Sequence, residues 1–440
     1  MSETNLSLCV PRTSSGRNPN EPVLVESPIP TTNLPNHILL RVDRFGFSAN
    51  NITYQALGEV PHFRYFDFHL APRSKDNTVT PESHGLIPVW GFGTVVWSSH
   101  PRVAVGERVY GYFAPTRYLL LPVSPSDANK YSFFVPRPHF PADRRPYNQI
   151  IRCANDALYD PTPDAEDLTM LYRPLFWTSF WCEDWLAESS YRSGETQTQK
   201  NVLISSASAK TSFCLAYLVR KRFVESGVNI VGLTSARNES FTRGLGLYDE
   251  VLNYDALKKT LSSAQSAAHA EWIYVDVAGS EEINENVRAC FEKCKNSRLL
   301  AHISLGMTTL SPSSSNVTSK SWTTNTSLLS APSITMGANP DSKSSRLPNP
   351  EEFFMPEWLA LRRKALSVTE ITQMQAKAWK ELMRDCRGWV KMECVEGGEN
   401  VLPAYEKVVK DGVGPEKGLV WSMWDRTQTE EERNTNSSKL

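Results

Sequence analysis

Residues 201–254 read NVLISSASAKTSFCLAYLVRKRFVESGVNIVGLTSARNESFTRGLGLYDEVLNY. Three short apolar runs, Asn201–Ser206, Val228–Thr234 and Glu250–Asn253, read as strands. Between them Thr211–Ser226 and Glu239–Leu245 carry helical patterns. The alternation continues with a strand at Trp272–Val277, a helix at Glu281–Lys295 and a strand at Leu299–Leu305. Buried strands separated by helical crossovers specify a parallel sheet covered on both faces.

Toward the N-terminus, Leu171–Leu186 is a long aromatic and apolar stretch that reads as a buried helix. Further back the texture is β-rich, with residues 36–47 alternating as a half-buried strand and residues 86–97, 103–113 and 117–123 as further strands. Toward the C-terminus, Pro356–Leu382 has helical periodicity and Gly418–Trp424 reads as a last strand. The expected organisation is a disordered tail at 1–20, a β-rich domain at 21–170 and a parallel-sheet domain at 171–310. A Ser/Thr/Asn-rich insertion follows at 311–345, then helices and a strand returning to the β-rich domain at 346–426, and a flexible tail at 427–440.

Composition narrows the function. The 440 residues hold 47 Lys and Arg against 48 Asp and Glu, a net charge of −1, which argues against a nucleic-acid binder. No apolar run approaches the roughly 20 residues of a membrane span, and the first residues lack the apolar core of a secretory signal. The eight cysteines are scattered with no C-x-x-C pair, as in a reducing compartment. The last residues, Ser438-Lys439-Leu440, resemble the tripeptide read by the peroxisomal import receptor. A peroxisomal location and that receptor as partner are therefore expected.

Several segments resemble the medium-chain dehydrogenase/reductase superfamily on its zinc-free quinone-oxidoreductase side. HILLRVDRFGFSANNITYQALG resembles the opening strand and turn, and PVWGFGTVV with VAVGERVYG resembles the following glycine-containing strands. Gly246–Tyr254 (GLYDEVLNY) and Tyr274–Gly279 (YVDVAG) resemble two further family stretches. SANNITY, SSASAKT and GLTSARN resemble a divergent branch known mainly as a domain of unknown function. The resemblance implies an α/β protein: a GroES-like β-rich catalytic domain and a Rossmann-like, doubly wound parallel-sheet cofactor domain. It also implies an oxidoreductase that needs no zinc.

The family's phosphate loop is rich in glycine, because the backbone must approach a pyrophosphate at a helix N-terminus. Here the loop is Ser205–Ser212 and has none. Hydroxyls of Ser206, Ser208 and Thr211, with Lys210 at the helix start, suit an anion in its place; a solvent-facing lysine on a helix without nucleotide is the other reading. Beyond the second strand come Thr234, Ser235 and Arg237 where an NAD enzyme places an acid for the ribose diol. Arg237 suits a 2′-phosphate, and Tyr254 falls where relatives have a tyrosine near that phosphate. NADPH is thus the expected cofactor.

Tyr54 matches a tyrosine of the zinc-free relatives and is expected to donate a proton or hydrogen bond to the substrate carbonyl, with Asn51 orienting substrate. Alternatively the asparagines cap a helix beginning near Ile52 and Tyr54 packs in its groove. Trp90, Phe92 and Tyr112 are read either as walls of an apolar pocket or as core. His62 and His69 complete no zinc set. The function so implied is reduction of an activated double bond or carbonyl (an enone, enoyl thioester or quinone-like compound), with a biosynthetic pathway as the expected setting. The substrate is a small molecule, a homodimer is compatible with it, and neither nucleic acid nor membrane is a partner. The alternative is a binding protein or pseudoenzyme that keeps the dinucleotide fold without the cofactor.

Overall fold

The computed structural model describes residues 4–141, 144–189, 199–223, 227–255, 257, 270–294, 297–307 and 347–425. They divide between two units, one drawn from 4–171 and 374–425 and the other from 172–307 and 347–373.

The first unit begins with β1 (Thr4–Pro11), β2 (Val23–Pro28), β3 (His37–Phe47), β4 (His84–Gly85) and β5 (Val89–Ser98). It continues with β6 (Arg108–Phe113), β7 (Tyr118–Pro122), β8 (Ser132–Phe134) and β9 (Gln149–Arg152). The second unit holds β10 (Gln199–Ile204), β11 (Asn229–Thr234), β12 (Glu250–Asn253), β13 (Ala270–Asp276), β14 (Ser297–Ser304) and β15 (Pro350–Glu352). β16 (Lys391–Glu396) and β17 (Lys417–Ser422) return to the first.

In the first unit the main sheet runs β16-β17-β3-β5-β6-β9-β8, with β7 also on β3. β17 is antiparallel to β3, Leu419 opposite Phe47, and Phe47 stacks on Trp421 at 4.2 Å between ring centroids. The helix Pro163–Glu188 starts eight residues before the expected Leu171. Its first turn is held by charge: Arg108 reaches both oxygens of Glu166 at 2.6 Å, and Arg44 bonds Glu166 at 2.8 Å and Asp167 at 2.7 Å. Because these cations lie 58 and 122 residues before Glu166 in the chain, local periodicity could not place that helix start.

Residues 4–11 depart from the expected disordered tail. They form a three-stranded sheet, β2-β1-β4, with Leu8 opposite Leu24. Leu8, Cys9 and Val10 are buried, which offsets the ordering of an otherwise polar N-terminus. β16 was not anticipated either, since KMECVE alternates charged and apolar residues at a sheet edge, parallel to β17.

The second unit is a six-stranded sheet in the order β12-β11-β10-β13-β14-β15, every pair parallel. Numbered from its first strand this order is 3-2-1-4-5-6, that of the dinucleotide-binding fold. Val287 and Phe291 of the helix Glu281–Lys293 pack with Leu203, Val231, Trp272 and Tyr274 in one core cluster. The expected helical stretch at 356–382 is two helices, Met355–Ala365 and Val368–Asp385. Ser367 divides them: its backbone N–H donates to Glu370 and its hydroxyl accepts from the Glu370 N–H, a reciprocal cap that starts the second helix. Met355–Ala365 belongs with the parallel sheet rather than the β-rich domain. Trp358 Nε1 donates to buried Asp184 at 2.9 Å, and Arg362 pairs with the same carboxylate at 2.9 Å. The insertion expected at 311–345 and the tail at 427–440, with Ser438-Lys439-Leu440, lie outside the described residues. No described helix is long and apolar enough to cross a membrane.

Candidate functional site

In the second unit the strand order puts β10 and β13 side by side where the winding reverses. The crevice beyond their C-terminal ends is where such sheets bind ligands. β10 runs through Ser205–Ala209 into the helix Lys210–Phe223, whose first-turn N–H groups and dipole end at that edge. Ser206 stands at φ 48°, in the left-handed region. Glycine enters that region freely and serine at a cost of about 1 kcal/mol. The turn thus has the backbone form of a glycine-rich loop without its glycine. Small residues are still required behind it: a Cβ on Gly232 would come within 2.9 Å of Ala207 Cβ.

Most of the expected cofactor residues gather here. The Ser206 N–H donates to the Tyr254 hydroxyl at 3.2 Å, and burial raises the pKa of that hydroxyl above the ordinary tyrosine value. Thr234 Oγ1 lies 3.3 Å from Ser208 Oγ, and Asn238 Nδ2 donates to the same Ser208 oxygen at 3.0 Å. Lys210 is buried and Thr211 half-buried in the first turn of the helix. Ser235 is half-buried, and Arg237 is exposed and has no hydrogen bond or ion pair among the described residues. The chemistry on offer is therefore a ring of hydroxyls and helix amides, with an uncommitted guanidinium on the β11 side.

Three residues that sequence reasoning did not assign tie this turn together. Ser205 Oγ donates to Asp276 Oδ1 at 2.9 Å and accepts the N–H groups of Val277 and Ala278 at 2.8 and 3.0 Å. Asp276 also accepts from Gly279 N at 3.0 Å and from Asn284 Nδ2 at 2.7 Å. Asn284 in turn accepts the Tyr274 hydroxyl at 2.7 Å. The YVDVAG string contains Asp276, but its partner lies 71 residues earlier and nothing local marks it.

Tyr54 and Asn51 belong to the β-rich unit. The helix Ala49–Ala56 starts at Ser48, earlier than the expected Ile52, and Asn51 closes the capping box: Ser48 N donates to Asn51 Oδ1 at 2.8 Å. Asn51 Nδ2 donates to Pro88 O at 3.0 Å. Both ends of its amide are engaged, the helix-capping arrangement that is the alternative reading of Asn51. Tyr54 is buried against Tyr65 at 4.5 Å and edge-on to Tyr112 at 5.5 Å between centroids. Burial, with Tyr147 adding to it, raises its pKa far above the ordinary value, so it stays protonated. Trp90 packs at 4.9 Å from Tyr112, and Phe92 at 5.1 Å from Tyr110. His69 is committed to Tyr112 O at 3.0 Å. Among the described residues no group of three His, Cys, Asp or Glu is placed to hold a metal ion.

A β-rich unit together with a 3-2-1-4-5-6 parallel sheet gives a fold of the medium-chain dehydrogenase/reductase kind. The family described as "Protein of unknown function (DUF2855)" matches residues 45–414, and the chain belongs to it. Among solved structures, CurA from Vibrio vulnificus in complex with NADPH aligns at 12% identity with a TM-score of 0.54, covering 95% of this chain and 98% of that one. A mycobacterial protein, Rv1454c, complexed with NADPH aligns at 11% identity with a TM-score of 0.52, covering 95% and 99%. These likenesses are of fold. A search of curated proteins finds no match.

Proposed function

We propose that the protein is an NADPH-dependent oxidoreductase that reduces an activated double bond or carbonyl of a small molecule. The observation that carries this reading is the turn after β10. Ser206 holds a glycine-like conformation beside the first turn of a helix, at the reversal point of a dinucleotide-type sheet. The residues fit the cofactor: Ala207 and Ala209 keep the loop slender, Ser208 and Thr234 present hydroxyls, and Arg237 supplies a free cation for a 2′-phosphate. Both solved structures of similar fold cited above hold NADPH. When bound, the cofactor supplies hydride to an electron-poor carbon. Tyr54, fixed in its protonated form, suits hydrogen-bond donation to the carbonyl oxygen on which charge develops.

Calorimetric titration with NADPH and NADH tests the proposal. Binding of NADPH with loss on Arg237→Ala supports it, and no binding at millimolar cofactor overturns it. The peroxisome is the compartment proposed from Ser438-Lys439-Leu440. Import of a tagged chain should be lost when Leu440 is deleted.

A further inference from the structure

Glu239 is the only acidic residue in the stretch from Thr234 to Tyr248. It follows Arg237 by two positions, and the loop between them is tied to the phosphate turn through Asn238 and Ser208 at 3.0 Å. A carboxylate in this neighbourhood would ordinarily favour a ribose diol and repel a 2′-phosphate. Here both of its oxygens are taken. Arg243, one helical turn on, donates to Oε1 through Nε at 3.1 Å and through Nη2 at 2.8 Å. Asn253, at the end of β12, donates to Oε2 from Nδ2 at 2.9 Å. Arg243 is itself anchored by the Val251 carbonyl, so its guanidinium is held between Glu239 and the end of the neighbouring strand.

We propose that Arg243 and Asn253 set cofactor preference by neutralising and holding Glu239, leaving Arg237 as the unopposed charge at the adenosine end of the crevice. The inference rests on the nucleotide-binding reading above and adds two specificity-determining residues to it. Neither touches the nucleotide; both act through Glu239. The same two donors hold the Glu239 carboxyl below its ordinary pKa, so the charge that must be neutralised is present at every physiological pH.

The test is a titration of NADPH and of NADH against the full-length wild type, Arg243→Ala, Glu239→Gln and the Arg243→Ala/Glu239→Gln pair. Arg243→Ala should lose NADPH affinity by about threefold to tenfold, the effect of one uncovered surface charge on a nearby phosphate, with NADH affinity unchanged or improved. The double variant should recover the wild-type ratio, because the charge that Arg243 opposed is gone. A ratio unmoved by Arg243→Ala overturns the inference. A loss that Glu239→Gln does not restore also overturns it, since Arg243 would then act on the phosphate directly. A wild type that binds neither nucleotide overturns the nucleotide-binding reading itself, an outcome distinct from binding with an unmoved ratio. Circular dichroism of each variant separates these outcomes from misfolding: a misfolded variant loses both affinities together, and Glu239→Gln alone then decides, predicted to keep or raise the NADPH ratio and overturning the inference if it lowers it.

Discussion

The Ser205 hydroxyl and the Asp276 carboxylate, 2.9 Å apart and both buried, join the ends of the two central strands of the parallel sheet. Ser205 also accepts the backbone N–H groups of Val277 and Ala278. Ser205→Ala would remove the acceptor of the buried Val277 N–H and a donor to the buried Asp276 carboxylate. Each such group costs roughly 1–3 kcal/mol, so the variant should unfold at a lower urea concentration, by about 2–4 kcal/mol. A midpoint within 0.5 kcal/mol (~) of wild type would show that the hydroxyl is replaceable by water.

Ser206 gives the opposite sign. Its left-handed backbone costs a serine about 1 kcal/mol that glycine does not incur, part of which glycine returns through the greater freedom of its unfolded chain. Ser206→Gly should therefore be neutral to stabilising by up to about 1 kcal/mol, while Ser206→Val, with a branched Cβ, should be clearly destabilising. Thermal unfolding of the pair checks the sign, and a destabilised glycine variant would refute the strain argument.

Tyr54 should act as a neutral donor. Its pKa lies far above the range of enzyme assays, so the rate should show no alkaline limb attributable to it. Tyr54→Phe should lower kcat by about tenfold or more, the usual scale for loss of a positioned donor, with the affinity for NADPH unchanged. Intact turnover in that variant would assign Tyr54 to core packing.

His302 is buried on β14, with neither ring nitrogen hydrogen-bonded to a described residue, and its ring lies 4.8 Å from Tyr274. Burial lowers its pKa from 6.5 to about 4. The unfolded chain takes up this proton near pH 6.5 and the folded chain only near 4. Stability contributed by the neutral ring is thus full above about pH 6.5 and is lost as pH falls toward 4, by roughly 3 kcal/mol at the limit. His302→Phe should flatten the fall in urea midpoint between pH 7 and pH 5. An unchanged slope would place the titration elsewhere.

Much of this protein was legible from local pattern. The strands expected at 201–206, 228–234 and 250–253 are found at Gln199–Ile204, Asn229–Thr234 and Glu250–Asn253. Period-two and helical repeats report burial on a face, and these strands are buried on both. β15, Pro-Glu-Glu, carries no such signal, since three residues without apolar alternation pair in parallel with β14, Glu351 opposite Ile303. Asn51 was visible as a residue, but its two partners, Ser48 and Pro88, were not, and they show its part in the helix cap.

The sequence by itself determined the fold class, since alternating apolar segments can bury their faces only in a parallel sheet flanked by helices. It also determined the chemical kind of each loop, hydroxyl-rich after β10 and cationic after β11. Tertiary structure decided which of those groups are free to act. Glu239 and Arg237 stand two residues apart with opposite charges, and nothing in the string says which of them is already held by a neighbour. That depends on Arg243 and Asn253 reaching the carboxylate, one along the helix and one from the neighbouring strand. Availability of a charge is set by its three-dimensional neighbours, because a hydrogen bond spends the same lone pair whether its partner is near or far in the chain.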